Sequence, residues 1–352
     1  MISFTHSHST PDVNSGMPGV AKYLESYWIN VEKVAVDAVA DMAPAKLYTA
    51  ATKTEGLNFV RHYVMNDGTI AGDNFGSKDS GYKGYATEKD DDMLLLKVDR
   101  EEKKDILLMN WGAHPTLTGG MDQTYVSADV VGSCRVAVER DTDMLFAFFN
   151  GAAGNQNALS YIPSEPKYTY IEHGELLCKT ALDVLNDMQP LEGTAIKTQQ
   201  VFYEGQVCHE DEDKGAEAAR VQAVWNTTGD KAAATALANQ LGLTSIYHAN
   251  PVLGRPGRPQ TKKMELDEVS IGNLGIVLAP YEMFTEHSLY IKENSPFDMT
   301  MIFTLSNENY YYIPSIEAFE YGCYESYVAY FGRGEGEKTA DQCLTMLNGL
   351  KG

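Results

Sequence analysis

The chain reads as an α/β protein of layered mixed sheets with flanking helices, and three observations carry that reading. Apolar stretches of strand length alternate with segments of helical apolar spacing along all 352 residues. A hydrophobic fraction of 43% with 10% aromatics is that of a folded chain, not a disordered one. No internal repeat or low-complexity tail interrupts the alternation. No compositional boundary divides it either, so residues 1–352 are expected to form a single domain.

Taken in order, residues 2–8 predict a buried strand. Side chains two apart share a strand face, so His6 and His8 would project together and Thr5 and Ser7 to the other side. Residues 20–42 have helical spacing, with Val20, Tyr23, Leu24, Tyr27, Trp28 and Val31 on one stripe and charge between. Residues 46–50 and 93–98 predict strands. The stretch 65–92 between them is rich in Gly, Asp and Lys, which predicts a long exposed loop. Residues 105–111 predict a buried strand that delivers His114 at its end, followed by a helix over 128–139 and a strand over 144–149. A helix over 170–188 and a strand over 193–203 come next. Residues 210–241 are acidic, alanine-rich and helical until the three prolines and two glycines of 251–259 break the pattern. Residues 204–262 are therefore expected as a helical insert or lid. A hairpin over 265–271 and 275–279 turns at Gly272-Asn273. A helix over 284–293, a strand over 299–305 and a helix over 338–347 close the chain.

Charge and cysteine usage exclude several classes. The net charge of −21 argues against nucleic acid or an anionic membrane surface as partner. Five cysteines, Cys134, Cys178, Cys208, Cys323 and Cys343, form no CxxC pair and read as reduced core thiols. No apolar stretch is long enough to span a bilayer, and no signal peptide is visible ahead of the histidines. As it stands the sequence predicts a cytoplasmic protein, or an exported one if a missing N-terminus carried a signal.

The chemistry lies in four distant segments: Thr5-His6-Ser7-His8, Ala113-His114-Pro115-Thr116, Pro280-Tyr281-Glu282 and Tyr310-Tyr311-Tyr312-Ile313-Pro314. Imidazoles, a carboxylate and a phenol are the donors of a catalytic zinc site rather than a cysteine-rich structural one. Iron or manganese would accept the same donors. His6 and His8 can bind one metal jointly or divide into a ligand and an acid–base group; a hydrogen-bonded pair at a strand end is the plainer alternative. His114 follows an apolar strand, at the carboxyl edge where α/β sheets place ligands. Glu282 precedes a helix, where a carboxylate also suits the helix dipole. The tyrosine run equally fits β-propensity and core packing.

Together these segments resemble the neutral ceramidases and their shorter bacterial relatives, zinc-dependent hydrolases of N-acyl linkages. Thr5-His6-Ser7-His8-Ser9 is similar to the family's Thr-His-x-His-Ser stretch, which implies His6 as a zinc ligand and His8 as a catalytic neighbour. Arg61 in Asn58-Phe59-Val60-Arg61 resembles the arginine lining the family's site. Trp111-Gly112-Ala113-His114-Pro115-Thr116 is similar to the segment with the second zinc histidine, and Ser127-Ala128-Asp129 follows at a similar interval. Pro280-Tyr281-Glu282-Met283-Phe284 resembles the segment that supplies the carboxylate ligand. Residues 307–325 resemble the region of two functional tyrosines, implying Tyr312 as a zinc ligand, Tyr311 as its alternative, and Tyr324 as a group holding the substrate carbonyl.

Three departures accompany the resemblance. Asn157, in Gly154-Asn155-Gln156-Asn157, falls where the ceramidases have a serine implicated in catalysis, and a carboxamide is no nucleophile. The resemblance would also imply a C-terminal immunoglobulin-like domain and strands ahead of the double-histidine segment, and the chain is expected to be an N-terminally shortened form without that domain. The implied activity is zinc-dependent hydrolysis of an amide by metal-activated water. In that reading Arg61 and Tyr324 stabilise the oxyanion, His8 carries protons and Asn157 orients substrate or water; the partner is a small or lipid-like acyl substrate. Hydrolysis of an ester, lactone or carbohydrate-derived substrate, or metal binding without turnover, are the alternatives. The other histidines, His62, His173, His209, His248 and His287, read as surface or structural.

Overall fold

Continuous apolar runs, buried on both strand faces, build two sheets that pack face to face. In the computed structural model, which describes residues 1–11, 13, 16–119 and 126–352, the first sheet has five strands. Their order is Gln189–Pro190, Ala45–Lys53, Asp92–Arg100, Ile106–Trp111 and Leu145–Asn150. Neighbours are antiparallel until the final pair, where Ile106–Trp111 and Leu145–Asn150 run parallel. The second sheet, ordered Ile196–Gln206, Thr261–Ile271, Leu274–Ala279 and Met299–Thr304, repeats this plan and also ends in a parallel pair. Parallel neighbours require a crossover, and the helices Asp129–Thr142 and Thr285–Asn294 lie in those two connections.

The period of two assigns each side chain to a layer. Leu94 and Leu96 meet Leu274, Ile276, Leu278, Met301 and Phe303 between the sheets. Their chain neighbours Met93, Leu95, Leu107 and Met109 point the other way, onto Val130, Cys134, Val138, Leu177 and Cys178 of the helices Asp129–Thr142 and Tyr170–Asp183. Val277, Ala279 and Ile302 likewise face Ile291 of Thr285–Asn294 and Cys343, Met346 and Leu347 of Glu335–Lys351. The result is helix, sheet, sheet, helix, with each fully buried Leu, Met or Val contributing about 1.5–3 kcal/mol. One polar group crosses the inner layer. Asn110 donates from Nδ2 to the Phe149 and Ile302 carbonyls (3.0 and 2.8 Å) and accepts from the Ile302 N–H at 3.0 Å, adding a rung between sheets.

The layered mixed-sheet class is as expected from sequence, but three segments differ. Residues 2–8 form no strand; a lone bridge joins Ser3 to Ser306, and His6 has φ +65°. This segment pairs with loop ends instead of a sheet, so its alternation of larger and small polar side chains misled. The stretch 65–92 is not an open loop, because Ile70–Gly72 and Tyr82–Tyr85 pair with His62–Met65 and bury Tyr63, Met65 and Ala71. Its glycines serve tight turns within a small sheet. Residues 210–253 form three helices, Gly215–Thr228, Lys231–Gln240 and Ile246–Leu253, sharing a core of Ala218, Val221, Ala234, Ala249 and Val252. Pro251 lies inside the last of these rather than ending it. The excursion leaves from the end of a hairpin registered from Ile196–Ile271 to Gln206–Thr261. Val20–Ala40 is helical as its spacing predicts, with Trp28, Ile29 and Val34 exposed. Among the described residues no helix is long and apolar enough to cross a membrane.

Gly154 tests how closely the two halves are joined. Its N–H donates to the Met283 carbonyl at 2.8 Å, and a Cβ there would lie 2.5 Å from the Glu282 carbonyl oxygen. Both obstacles are backbone and cannot turn aside. Gly154→Ala is expected to destabilise the fold by about 1–3 kcal/mol in urea unfolding. Gly84→Ala, whose Cβ meets nothing within 4 Å, serves as the control that stays near wild type.

Candidate metal centre

The carboxyl ends of the two parallel strand pairs meet, and the site is built from the loops that leave them. Thr304 Oγ1 donates to the Asn150 and Gly151 carbonyls (3.2 and 2.9 Å), closing the last strand of one sheet onto the last of the other. Two short backbone pairings then arrange the side chains. His114 bridges Asn157 in parallel, with the His114 N–H on the Gln156 carbonyl at 2.9 Å. Glu282 stands opposite Tyr312 in the two-residue parallel pair Glu282–Met283 and Tyr312–Ile313. Opposed residues on neighbouring strands present their side chains to the same face. The N-terminal segment threads between, its Phe4 N–H on the Leu305 carbonyl (3.1 Å) and its His8 N–H on the Pro115 carbonyl (3.3 Å). His6, Leu305, Asn307 and Tyr311 all have φ between +52° and +65°, a cluster of left-handed backbone beside the site.

Six of the eight residues singled out in the sequence come together here. One ring nitrogen from each of His6, His8 and His114 lies within 4.8 Å of the others. Glu282 Oε2 sits 3.2 Å from His6 Nε2 and 3.0 Å from His114 Nε2, and the Tyr312 hydroxyl is 3.3 Å from His114 Nε2. Arg61 donates to the Tyr312 hydroxyl at 3.0 Å and to the Gly154 carbonyl at 2.9 Å. Tyr311 is 56% exposed and Tyr312 6%, so only the latter reaches the cluster. The proximity of His6 and His8, whose Nε2 atoms are 3.3 Å apart, thus comes from a left-handed turn rather than strand alternation.

Electrostatics keep the His114 and His8 imidazoles neutral. Burial, then the Arg61 charge, pushes His114 down to about 4. His8 is lowered to about 3, by burial first and then by the neighbouring His114 and His6 rings. The His114 Nδ1 faces the Ala153 and Gln156 carbonyls, so that nitrogen carries the proton and Nε2 turns a lone pair to the cluster.

The remaining two expected residues lie at the edges. Tyr324 has its ring 5.9 Å from that of Tyr312, edge to face, and 5.5 Å from Tyr247 of the helix Ile246–Leu253. Asn157 donates from Nδ2 to Asp73 Oδ2 at 2.6 Å.

Sequence reasoning missed three residues. Glu325 Oε1 pairs with Arg61 at 2.5 Å, and its other oxygen takes His62 Nε2 at 2.9 Å. His62 is fully buried, with Nδ1 2.7 Å from the Tyr321 hydroxyl, and so is neither a surface histidine nor remote from the site. Asp73 is the third. Adjacency was the available signal for the first two, since His62 follows Arg61 and Glu325 follows Tyr324, and a buried guanidinium requires a carboxylate.

Glu325 carries a stability prediction. Burial raises its pKa, but Arg61 and then His62 overcome this and hold the carboxyl far below the ordinary value. A carboxylate depressed in the folded state stabilises above its unfolded pKa near about 4 and loses that contribution as pH falls further. Glu325→Gln should cost about 3–5 kcal/mol at pH 7, because Arg61 stays buried without its counter-charge. The difference from wild type should shrink below pH 4 in denaturant titrations; a constant difference would show that charge is not the cause.

No family model matches the chain, and no curated protein matches its sequence. Solved structures do. The neutral ceramidase from Pseudomonas aeruginosa superposes with a TM-score of 0.57 and 13% identity over 88% of this chain and 52% of that one. A structure described as ceramidase complexed with C2 gives 0.61 and 13% over 89% and 55%. The chain spans about half the length of these structures. At this identity the likeness is one of architecture, and the architecture of this chain is the mixed α/β fold of the neutral ceramidases.

Proposed function

We propose that the chain is a metal-dependent hydrolase of N-acyl amide linkages, resembling neutral ceramidase, with Zn2+ held by His6, His114, Glu282 and Tyr312. One observation carries the reading. His114 gives its Nδ1 proton to backbone carbonyls, so its Nε2 lone pair faces the Glu282 carboxylate at 3.0 Å. Two acceptors so placed repel each other unless a cation lies between them, and the depressed proton affinity of His114 argues against a proton in that place.

Bound zinc would lower the pKa of a water to about 7 and polarise the acyl carbonyl. The protein's own groups do the rest. Arg61, held by Glu325 and Gly154, offers a fixed positive charge to the developing oxyanion, and it opposes the burial that pushes the Tyr312 phenol well above its usual value. Tyr324 stands beside Tyr312 as a second donor to that oxygen. His8 hydrogen-bonds the leaving nitrogen; its lowered pKa makes it a neutral partner rather than a store of protons.

A lipid-like acyl substrate is supported by a cleft of about 440 Å3 that opens beside His6, walled by Phe4, Tyr23, Leu24, Tyr27, Trp28 and Leu305. The helical segment within 204–262 is proposed as a cover, its Tyr247 packing against Tyr324.

The test is metal content of the purified chain and of His114→Ala, with a fluorogenic short-chain N-acyl panel assayed on both. Wild type should carry near-stoichiometric zinc and turn over the panel, and the variant should bind zinc at least about 100-fold more weakly and be inactive. A folded wild type that holds no metal would sink the site. Zinc without turnover would move the reading to a non-catalytic metal binder.

A further inference from the structure

Asp73 lies on the turn after Ile70–Gly72, in a stretch that the sequence presents only as glycine-rich connection. The turn is clamped: Gly72 and Phe75 bridge each other, and the Phe75 ring packs into the cluster of Phe284, Tyr312 and Cys323 behind the site. Phe75 also meets His62 edge to face at 5.6 Å. Asp73 is thereby held against the elements that bear Tyr312 and Arg61.

Its carboxylate is gripped from two sides. Asn157 Nδ2 donates to Oδ2 at 2.6 Å, and the Tyr63 hydroxyl donates to Oδ1 at 3.2 Å. Asn157 is the bridge partner of His114, so its carboxamide projects on the His114 side. With Nδ2 committed to Asp73, its Oδ1 is buried and has no donor among the described residues, although the side chain is only 6% exposed. A buried acceptor without a partner points to a donor that arrives with a ligand.

We propose that Asp73, oriented by Asn157 and Tyr63, is the proton-transfer carboxylate of the site. The proposal rests on the amide-hydrolase reading. The attacking water loses a proton to Asp73 as its oxygen bonds to the acyl carbon. When the carbon–nitrogen bond breaks, that proton passes to the departing nitrogen, leaving Asp73 ionised and the products a carboxylic acid and an amine. Asn157 Oδ1 accepts a hydrogen bond from the water or the amine and keeps it in line.

The charge environment agrees. Burial raises Asp73 to about 6, opposed by Arg61 and then raised again by Glu325, with Tyr63 and His62 lowering it slightly. Lys78 of the preceding connection, Tyr82 of the neighbouring strand and Tyr161 of the 158–167 loop face the same carboxylate. A base of that strength is half-ionised just below neutrality, where proton transfer is most effective. Because the folded value lies above the ordinary one, ionised Asp73 is a cost to stability at neutral pH and not a support.

Asp73→Asn keeps both hydrogen bonds, since the new amide oxygen accepts from Asn157 and its nitrogen donates to Tyr63. In the zinc-loaded chain its kcat should fall about 100-fold or more with KM within about threefold, and the acid limb near pH 6 should vanish. Zinc content should be unchanged and Tm at pH 7 no lower than wild type. In the metal-free protein, carboxyl-carbon NMR should titrate Asp73 near pH 6, and Asn157→Ala should move that midpoint. A variant with wild-type kcat and an intact acid limb overturns the proposal, as does a loss of activity accompanied by lowered Tm and lost zinc. A midpoint near the ordinary aspartate value overturns it too. Wild type inactive on every N-acyl probe defeats the hydrolase reading and this assignment together, whereas an active wild type with an unaffected variant defeats this assignment alone.

Discussion

A buried guanidinium holds this site together. Arg61 reaches the Gly154 carbonyl, the Tyr312 hydroxyl and the Glu325 carboxylate at once, linking a loop of the first sheet, a loop of the second and the short helix Tyr324–Val328. Gly154 in turn fixes the strand that carries Glu282, and Glu325 reaches back to His62 and Tyr321. An enclosed ion pair is a weak source of net stability, because desolvating two charges offsets most of their attraction. Its value is geometric. A fork of donors in a dry environment admits few arrangements, so the groups it touches are held in place.

The same constraint shapes the electrostatics. Arg61 stands close enough to repel a proton from His114, while its own charge is balanced by Glu325 and not by Glu282. Glu282 is left to the histidines. The site therefore separates two carboxylates by role, one neutralising a fixed cation and the other facing imidazole lone pairs. The overall charge of −21 adds a field that draws cations toward the surface, though it does not choose among them. Left-handed backbone at His6, Leu305, Asn307 and Tyr311 is the conformational cost of bringing these loops together, borne by the packed sheets beneath.

The sheets were readable from the chain because period-two alternation reports directly on burial. Leu94 and Leu96 against Met93 and Leu95 is enough to predict a strand between two apolar layers, and the structure puts each pair in a different core. Where that signal fails, so does the reading. Residues 2–8 look like a strand because Ile2, Phe4, His6 and His8 alternate with Ser3, Thr5 and Ser7, yet they satisfy their backbone on Leu305, Pro115 and Asn307. Residues 65–92 look like a loop because glycines dominate, yet Gly72 and Gly76 let Phe75 and Ala71 pack closely enough to make a small sheet. His62 and Glu325 went unread for another reason. A residue paired only through space leaves no periodic mark, and nothing local distinguishes a buried histidine in a charge network from one at the surface.

By itself the sequence determined the layers, the helix and strand types, and the residue kinds that a metal-type centre needs, since these follow from local pattern and side-chain chemistry. Tertiary structure alone decided which of those residues meet. It chose Tyr312 over Tyr311 by turning one phenol inward and the other to solvent. It set His6 beside His8 through a left-handed turn, and it brought Asp73, His62 and Glu325 to the site from segments that showed no such role. The physical reason is that proximity among distant segments depends on how loops close over the ends of the parallel strand pairs. That closure is governed by backbone hydrogen bonds such as His114 to Gln156 and Gly154 to Met283, which any residue type can make and no side-chain pattern records.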